Sequence, residues 1–294
     1  MAQYLRDGYA VAGTDYPGLG LPGQLHNFVE RQALGRSMID SVRAVRDLSA
    51  EVGRRWFSVG HSEGGLAALG AGELAADRAP ELDLLGVVPI SSGGDFAPGL
   101  DTLATTKPPF ATGIYSSAAF VGFIAVAAMQ YAPDRIQATD LLSPEFAAEL
   151  PAVRSLCLEE LAAHLMAVTP PITRWVNPDW ARNQTLLEWV RNVSTVRSRT
   201  AAPILFVHGA EDTIAAQTQA NQGVGALCAV GDVVDYRTYP GADHNTVVAI
   251  ADDDIMTWLE LRLKGYPARQ TCQSVAGHGD GPAEVGAWVH EGGW

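Results

Sequence analysis

Apolar positions follow two rhythms along the chain. Short, nearly continuous apolar runs bounded by Gly, Pro or Asp alternate with longer stretches in which apolar residues recur every three or four positions. The runs lie at the end of 6–14 ("RDGYAVAGT") and in 55–60 ("RWFSVG"), 83–92 ("DLLGVVPISS"), 202–209 ("APILFVHG") and 233–240 ("VVDYRTYP"), and each predicts a strand. The periodic stretches predict helices. In 30–52, Leu34, Met38, Ile39, Val42, Val45 and Leu48 share one face; 64–76, 214–228 and 246–264 read likewise. Between 93 and 199 the strand signal stops. The pattern there is helical, broken by Pro98, Pro108, Pro109, Pro144, Pro151, Pro170 and Pro171.

Strands alternating with helices predict an α/β fold, a mainly parallel sheet covered by helices on both faces. The core comprises 1–92 and 200–294, with 93–199 inserted as a helical cap. In such sheets function gathers beyond the carboxyl ends of the strands, so the residues there carry the chemistry.

The segment "VGHSEGGLAALG" (59–70) joins a strand to a helix of small residues, and Gly60-His61-Ser62-Glu63-Gly64 fits G-x-S-x-G. A strand that turns directly into a helix needs glycines and leaves the central serine strained and exposed. Ser62 is therefore the expected nucleophile, and the backbone N–H of Glu63, at a helix N-terminus, the expected oxyanion donor. A serine needs a base, and the base an orienting acid. His244, in "YPGADHNT", follows a strand and a Gly turn and is the expected base. His61 sits beside the serine, poorly placed to reach it, and His208 ends a buried strand; His26, His164, His278 and His290 lie in polar, helical or tail contexts. Asp212, in "HGAEDTIAA", is the expected acid; its rivals are Glu211, and Asp243, which adjoins His244 directly. The chain order Ser62, Asp212, His244 is that of the α/β-hydrolase fold.

Composition narrows the partners. With 33 acidic against 20 basic residues the net charge is −13, which argues against a nucleic-acid partner. The uncharged run 108–132 is expected to be a buried or lid helix and not an integral membrane span, since Ser116, Ser117, Gly122 and Gln130 dilute it and no basic cluster flanks it. No metal-ligand spacing and no phosphate-binding loop appear. The opening "MAQYLRDGYAVAG" carries charges where a secretion signal would be apolar. Asp252, Asp253 and Asp254 are expected early in the last helix, where they complement its dipole. The three cysteines Cys157, Cys228 and Cys272 leave one unpaired in an oxidising compartment.

These segments together resemble the secretory lipases of the lipase A type. "DGYAVAGTDYPGLG" is similar to that family's strand and D-Y/H-E-G loop, with Pro17 where the family has Glu, so no role of that acid carries over. "GHSEGG" resembles its nucleophile elbow, "SSGGDFAPGL" the start of its lid, and "HGAEDTIA" and "YPGADHNT" its acid and histidine segments. The resemblance implies an α/β-hydrolase fold and the same roles for Ser62, Asp212 and His244. It also implies a disulfide between Cys228 and Cys272, a cap cysteine at Cys157 whose partner lies ahead of Met1, and an extracellular location.

The expected activity is hydrolysis of carboxylic esters through an acyl-enzyme, without a cofactor. Phe110, Phe120, Phe123, Ile124 and Met129 are candidates to line an apolar substrate pocket, or are plain cap core. An amide-cleaving serine hydrolase and a non-catalytic module that binds apolar ligands are the alternatives. The resemblance also implies further strands ahead of the first one here, one of whose loops supplies a second oxyanion N–H; no such strand and no H-G-G or H-G-T loop precedes Asp7. Either the chain begins partway through a secreted protein, or 9–14 pairs directly with 55–59. Oligomeric state is not legible.

Overall fold

The structure is a computed structural model that describes residues 2–20, 23–110, 113–194 and 196–272. Helix α1 (Ala2–Arg6) and an extended, looped stretch lead to α2 (Arg31–Leu48), whose N-terminus is capped by the Glu30 side chain accepting from the Ala33 N–H. Then come β1 (Arg55–His61), α3 (Glu63–Arg78) and β2 (Asp83–Ile90). Seven helices follow: α4 (Ala97–Thr105), α5 (Gly113–Tyr131), α6 (Ala138–Leu141), α7 (Pro144–Ala147), α8 (Leu150–Val153), α9 (Leu158–Ala167) and α10 (Gln184–Ser194). The chain returns through β3 (Ile204–Gly209), α11 (Gln217–Ala229), β4 (Val234–Tyr239), α12 (Val247–Ile250) and α13 (Asp252–Leu263).

The described strands form one parallel sheet in the order β1-β2-β3-β4. All of β3 is buried, as a strand covered on both faces must be. Alternate residues supply the two covers. Val88, Ile90, Leu205 and Val207 pack with Ile255, Trp258 and Leu259 of α13. Val87, Ile204 and Phe206 pack with Ala68 and Leu69 of α3 and with Ala220, Val224 and Leu227 of α11. This is the α/β architecture that the sequence pattern predicts.

The helices between β2 and β3 have a core of their own, which includes Phe146, Trp175, Trp180 and Trp189 and reaches Val29 and Leu66. At its centre lies α5. With 19 residues and a mean hydropathy of 1.5, it is long and apolar enough to cross a membrane by length and composition, yet half of it is buried inside the protein. Its packing is that of a core helix.

Two expectations are corrected. Residues 9–14 form no strand and do not pair with β1, whose only strand partner among the described residues is β2. The run Ala10–Val11–Ala12 is small-sided and exposed, and a strand needs a neighbour to receive its backbone groups. Only Tyr9 meets the sheet, edge-on to Phe57 at 6.2 Å. The expected helix at 246–264 is two helices that meet at Ala251, with Asp252, Asp253 and Asp254 in the first turn of α13.

Cys228 and Cys272 are joined by a disulfide, as the resemblance implies, closing a 44-residue separation that ties the C-terminal segment to α11. Cys157 is an exposed free thiol preceding α9. The Gly-rich tail beyond 272, expected to be irregular, lies outside the described residues with His278 and His290. Constraining a loop of this length stabilises by ~3–4 kcal/mol in the chain-entropy model. Cys272→Ala is therefore expected to lower the melting temperature by about 5–10 °C, measured by thermal circular dichroism, with no further change on adding reductant.

Candidate active site

Ser62 stands between the last residue of β1 and the first of α3, with φ 57° and ψ −120°. That left-handed backbone is strained for a residue with a side chain. Tight packing enforces it. A Cβ on Gly60 would collide with the Gly64 carbonyl, and one on Gly65 would come 2.7 Å from the Ser92 Cβ. The Ser62 N–H donates to the Ile90 carbonyl at 2.8 Å, which pins the turn to the end of β2. Among the described residues no hydrogen bond occupies the Glu63 N–H at the start of α3.

The ends of β3 and β4 bring two further side chains to this turn. His244 Nε2 lies 3.0 Å from Ser62 Oγ, and His244 Nδ1 lies 2.8 Å from Asp212 Oδ2. Asp212 Oδ1 accepts from the N–H groups of Ile214 and Ala215. Burial alone would raise the Asp212 carboxyl; the bond from His244 and the two N–H groups outweigh it and hold the group below the ordinary aspartate value. The carboxylate therefore stays ionised and faces Nδ1, while Nε2 faces the serine hydroxyl. The rivals lie elsewhere in the network: Asp243 caps its own turn through Asn245 and Thr246 and is exposed.

Two histidines set aside by the sequence reading border this row. His61 does not reach the serine, but its Nε2 donates to the His244 carbonyl at 2.6 Å and its ring lies 4.6 Å from the His244 ring. Burial lowers its pKa, so the ring is the neutral tautomer carrying its proton on Nε2. His208 is wholly buried at the end of β3, with Nε2 4.0 Å from Asp212 Oδ2; burial lowers it too, against the pull of the carboxylate. A third, His26, bonds Glu63 at 2.8 Å. Nothing in the local sequence of these three signals such contacts, which arise only when distant segments meet.

The five candidate pocket residues divide among four places. Phe120 and Phe123 meet Phe28, at 5.8 and 5.7 Å between ring centroids. Phe110 packs against Tyr115 and Trp175. Ile124 is buried in the core of the helices between β2 and β3. Met129 lines a cavity of about 220 Å³ with Leu25, Val126, Gln130, Pro133 and Arg154. A second cavity, of about 330 Å³, lies around the buried Arg31–Glu73 ion pair. Neither lining includes Ser62, Asp212 or His244. Among the described residues no cluster of ligating side chains could hold a metal ion.

Residues 1–271 match the family model described as secretory lipase. No curated protein sequence matches the chain. Among solved structures, a Legionella pneumophila protein aligns over 90% of this chain and 72% of its own, at 17% identity and a TM-score of 0.69. Candida antarctica lipase A in its closed state aligns over 82% of this chain at 20% identity and a TM-score of 0.62. The chain spans 57% of that lipase's length. The rice cell wall degrading esterase LipA from Xanthomonas oryzae aligns over 85% of this chain and 70% of its own, at 15% identity and a TM-score of 0.62. At these identities the likeness is one of fold.

The packing of the turn is testable without any assay of activity. Gly60→Ala drives a methyl group into the Gly64 carbonyl and is expected to cost about 1–3 kcal/mol or more. Gly53→Ala adds the same atom in open space and is expected to leave urea unfolding unchanged. Equal midpoints for the two variants would contradict the packing described.

Proposed function

Because the chain belongs to the secretory lipase family, we propose that it is a serine hydrolase of carboxylic esters with Ser62, His244 and Asp212 as its catalytic triad. The observation that carries the reading is the unbroken row of hydrogen bonds from Asp212 through His244 to Ser62, at 2.8 and 3.0 Å, beside an unoccupied N–H at a helix N-terminus. His244 Nε2 takes the Ser62 proton as Oγ attacks the ester carbonyl. The new imidazolium is held by the ionised Asp212. The developing oxyanion is received by the Glu63 N–H. Collapse breaks the ester bond, and His244 returns the proton to the leaving alcohol. Water, activated by the same imidazole, then releases the acid from Ser62.

The His61 ring supports the base from behind by fixing the His244 main chain. The helices between β2 and β3, residues 93–199, serve as the lid over a core formed by 1–92 and 200–294. The apolar part of the ester is received by these helices, through Phe120 and Phe123 where they meet Phe28, with Phe110 and Met129 extending the apolar surface and Ile124 packed beneath it. Substrates are lipid or other apolar esters, in keeping with the family. The Cys228–Cys272 bond and the family's secretory character support an extracellular site of action, where disulfides persist.

The wild-type protein is expected to hydrolyse p-nitrophenyl esters and to be labelled on Ser62 by a fluorophosphonate. Ser62→Ala is expected to abolish both, and Asp212→Asn to lower kcat by ~10³–10⁴. Ester turnover that survives Ser62→Ala would assign the reaction to another group.

A further inference from the structure

His26 joins three parts of the molecule. Its Nε2 lies 2.8 Å from Glu63 Oε1, on the residue that follows Ser62. Its Nδ1 lies 3.1 Å from the Pro17 carbonyl in the loop before α2. Its own carbonyl accepts from Gln130 Nε2 of α5 at 3.1 Å. The ring is stacked on Tyr16, with an interplanar angle of 13°.

The partners fix its charge. A neutral imidazole has one N–H and one lone pair. Both atoms facing the ring nitrogens of His26 are acceptors: a main-chain carbonyl, and a carboxylate oxygen that already receives the Val29 N–H at 3.0 Å. Only the imidazolium can donate to both. The ion pair is mostly shielded, with the His26 and Glu63 side chains 17% and 22% exposed. Val29, a β-branched residue, is held at φ 57° beside the same carboxylate, a conformation that persists only where the surroundings impose it.

We infer that His26 is a positioning residue, held as an imidazolium, that cancels the Glu63 carboxylate next to the oxyanion site and fastens the chain at Pro17 and Val29, and α5, to the nucleophile turn. Its catalytic consequence rests on the triad assignment above; its charge does not. Glu63 has to offer its N–H to a developing oxyanion, while its own side chain is an acid on the same residue. Left unpaired, that charge opposes the negative charge of the transition state. Paired with His26, it becomes a neutral anchor that also receives the Val29 N–H and, through His26, the Pro17 carbonyl.

Other groups around the ring leave this assignment intact. The Tyr16 phenol is pushed up to about 12 by burial and by the Glu63 charge, so it is neutral. Gln130 of α5 carries no charge, and Arg154, after α8, lines a cavity with Leu25 and Gln130. Burial works to lower the His26 pKa; the hydrogen bond and charge of Glu63, with the Pro17 carbonyl, more than reverse it, and the net shift is upward. A folded-state pKa above the unfolded one gives stability that is fully present below the unfolded value and lost as pH rises through the folded one.

The test is a proton NMR titration of the full chain, with the His26 resonance assigned by its loss in His26→Asn. The midpoint is expected above the ordinary histidine value of about 6.5, falling to that value or below in Glu63→Gln. A wild-type midpoint at or below 6.5 would overturn the inference, whether or not the protein proves to be an esterase. In ester turnover, His26→Asn is expected to lower kcat about tenfold, the scale of one charge-assisted hydrogen bond, with KM changed less. The double variant His26→Asn/Glu63→Gln is expected to regain most of that loss, since no uncompensated carboxylate remains. A double variant no faster than His26→Asn would refute the electrostatic role. If the wild type cleaves no ester, the functional reading fails by itself and the titration still decides the charge of His26.

Discussion

A strand that becomes a helix at a single residue leaves no room for side chains around that residue. At Ser62 this constraint shapes everything near it. The left-handed backbone is tolerated because glycines let β1 and α3 close on each other and because the Ser62 N–H is bound to the end of β2. The strain is thus balanced by packing and hydrogen bonding that would be lost if the turn relaxed. In exchange the hydroxyl projects beyond the sheet, and among the described residues the first N–H of α3 is left unoccupied. The parallel arrangement of β1, β3 and β4 sends Asp212 and His244 to the same end.

Around this turn the charges are arranged by partner chemistry. Asp212 is buried, yet it receives donors from His244, Ile214 and Ala215, so its ionised form is the stable one. Neither His61 nor His208 is paired with a carboxylate at hydrogen-bond distance, and both are driven neutral by burial. His26 is bonded to an acid and is driven the other way. The same side chain is thus set to different states within one site by what faces its two nitrogens. Farther out, the buried Arg31–Glu73 pair ties α2 and α3 to the end of α10 and to the chain that follows it. Arg31 donates to the carbonyls of Asn192 and Val193, and Glu73 accepts from the N–H groups of Arg197 and Ser198. With its remaining hydrogen-bonding capacity satisfied, a buried pair of this kind serves to fix geometry more than to add stability.

The strands that carry the site were legible because their apolar runs are continuous and bounded by turn residues, as in "ILFVHG". The elbow was legible because steric necessity dictates its glycines. Residues 9–14 were misread for a reason that local pattern cannot overcome: a run such as "YAVAG" becomes a strand only if another strand lies beside it. His61 was discounted because its reach was judged against Ser62 alone; its partner is the His244 main chain, 183 residues away in sequence. The Glu63–His26 pair was hidden in the same way, since Glu63 reads as the variable position of a motif and His26 as a loop residue. Phe110, Phe120, Phe123, Ile124 and Met129 share a helical pattern or its flank, but the pattern does not separate residues that face a ligand from those that pack a helical core.

The central claim is that Ser62 forms a covalent ester with the acyl group of the substrate. Rapid quenching of the protein with p-nitrophenyl butyrate, followed by peptide mass spectrometry, reads this directly. A burst of nitrophenol with a butyryl group on the peptide that contains Ser62, absent in Ser62→Ala, is the predicted result. Steady ester cleavage with no acyl group on that peptide at any time after mixing would contradict the account.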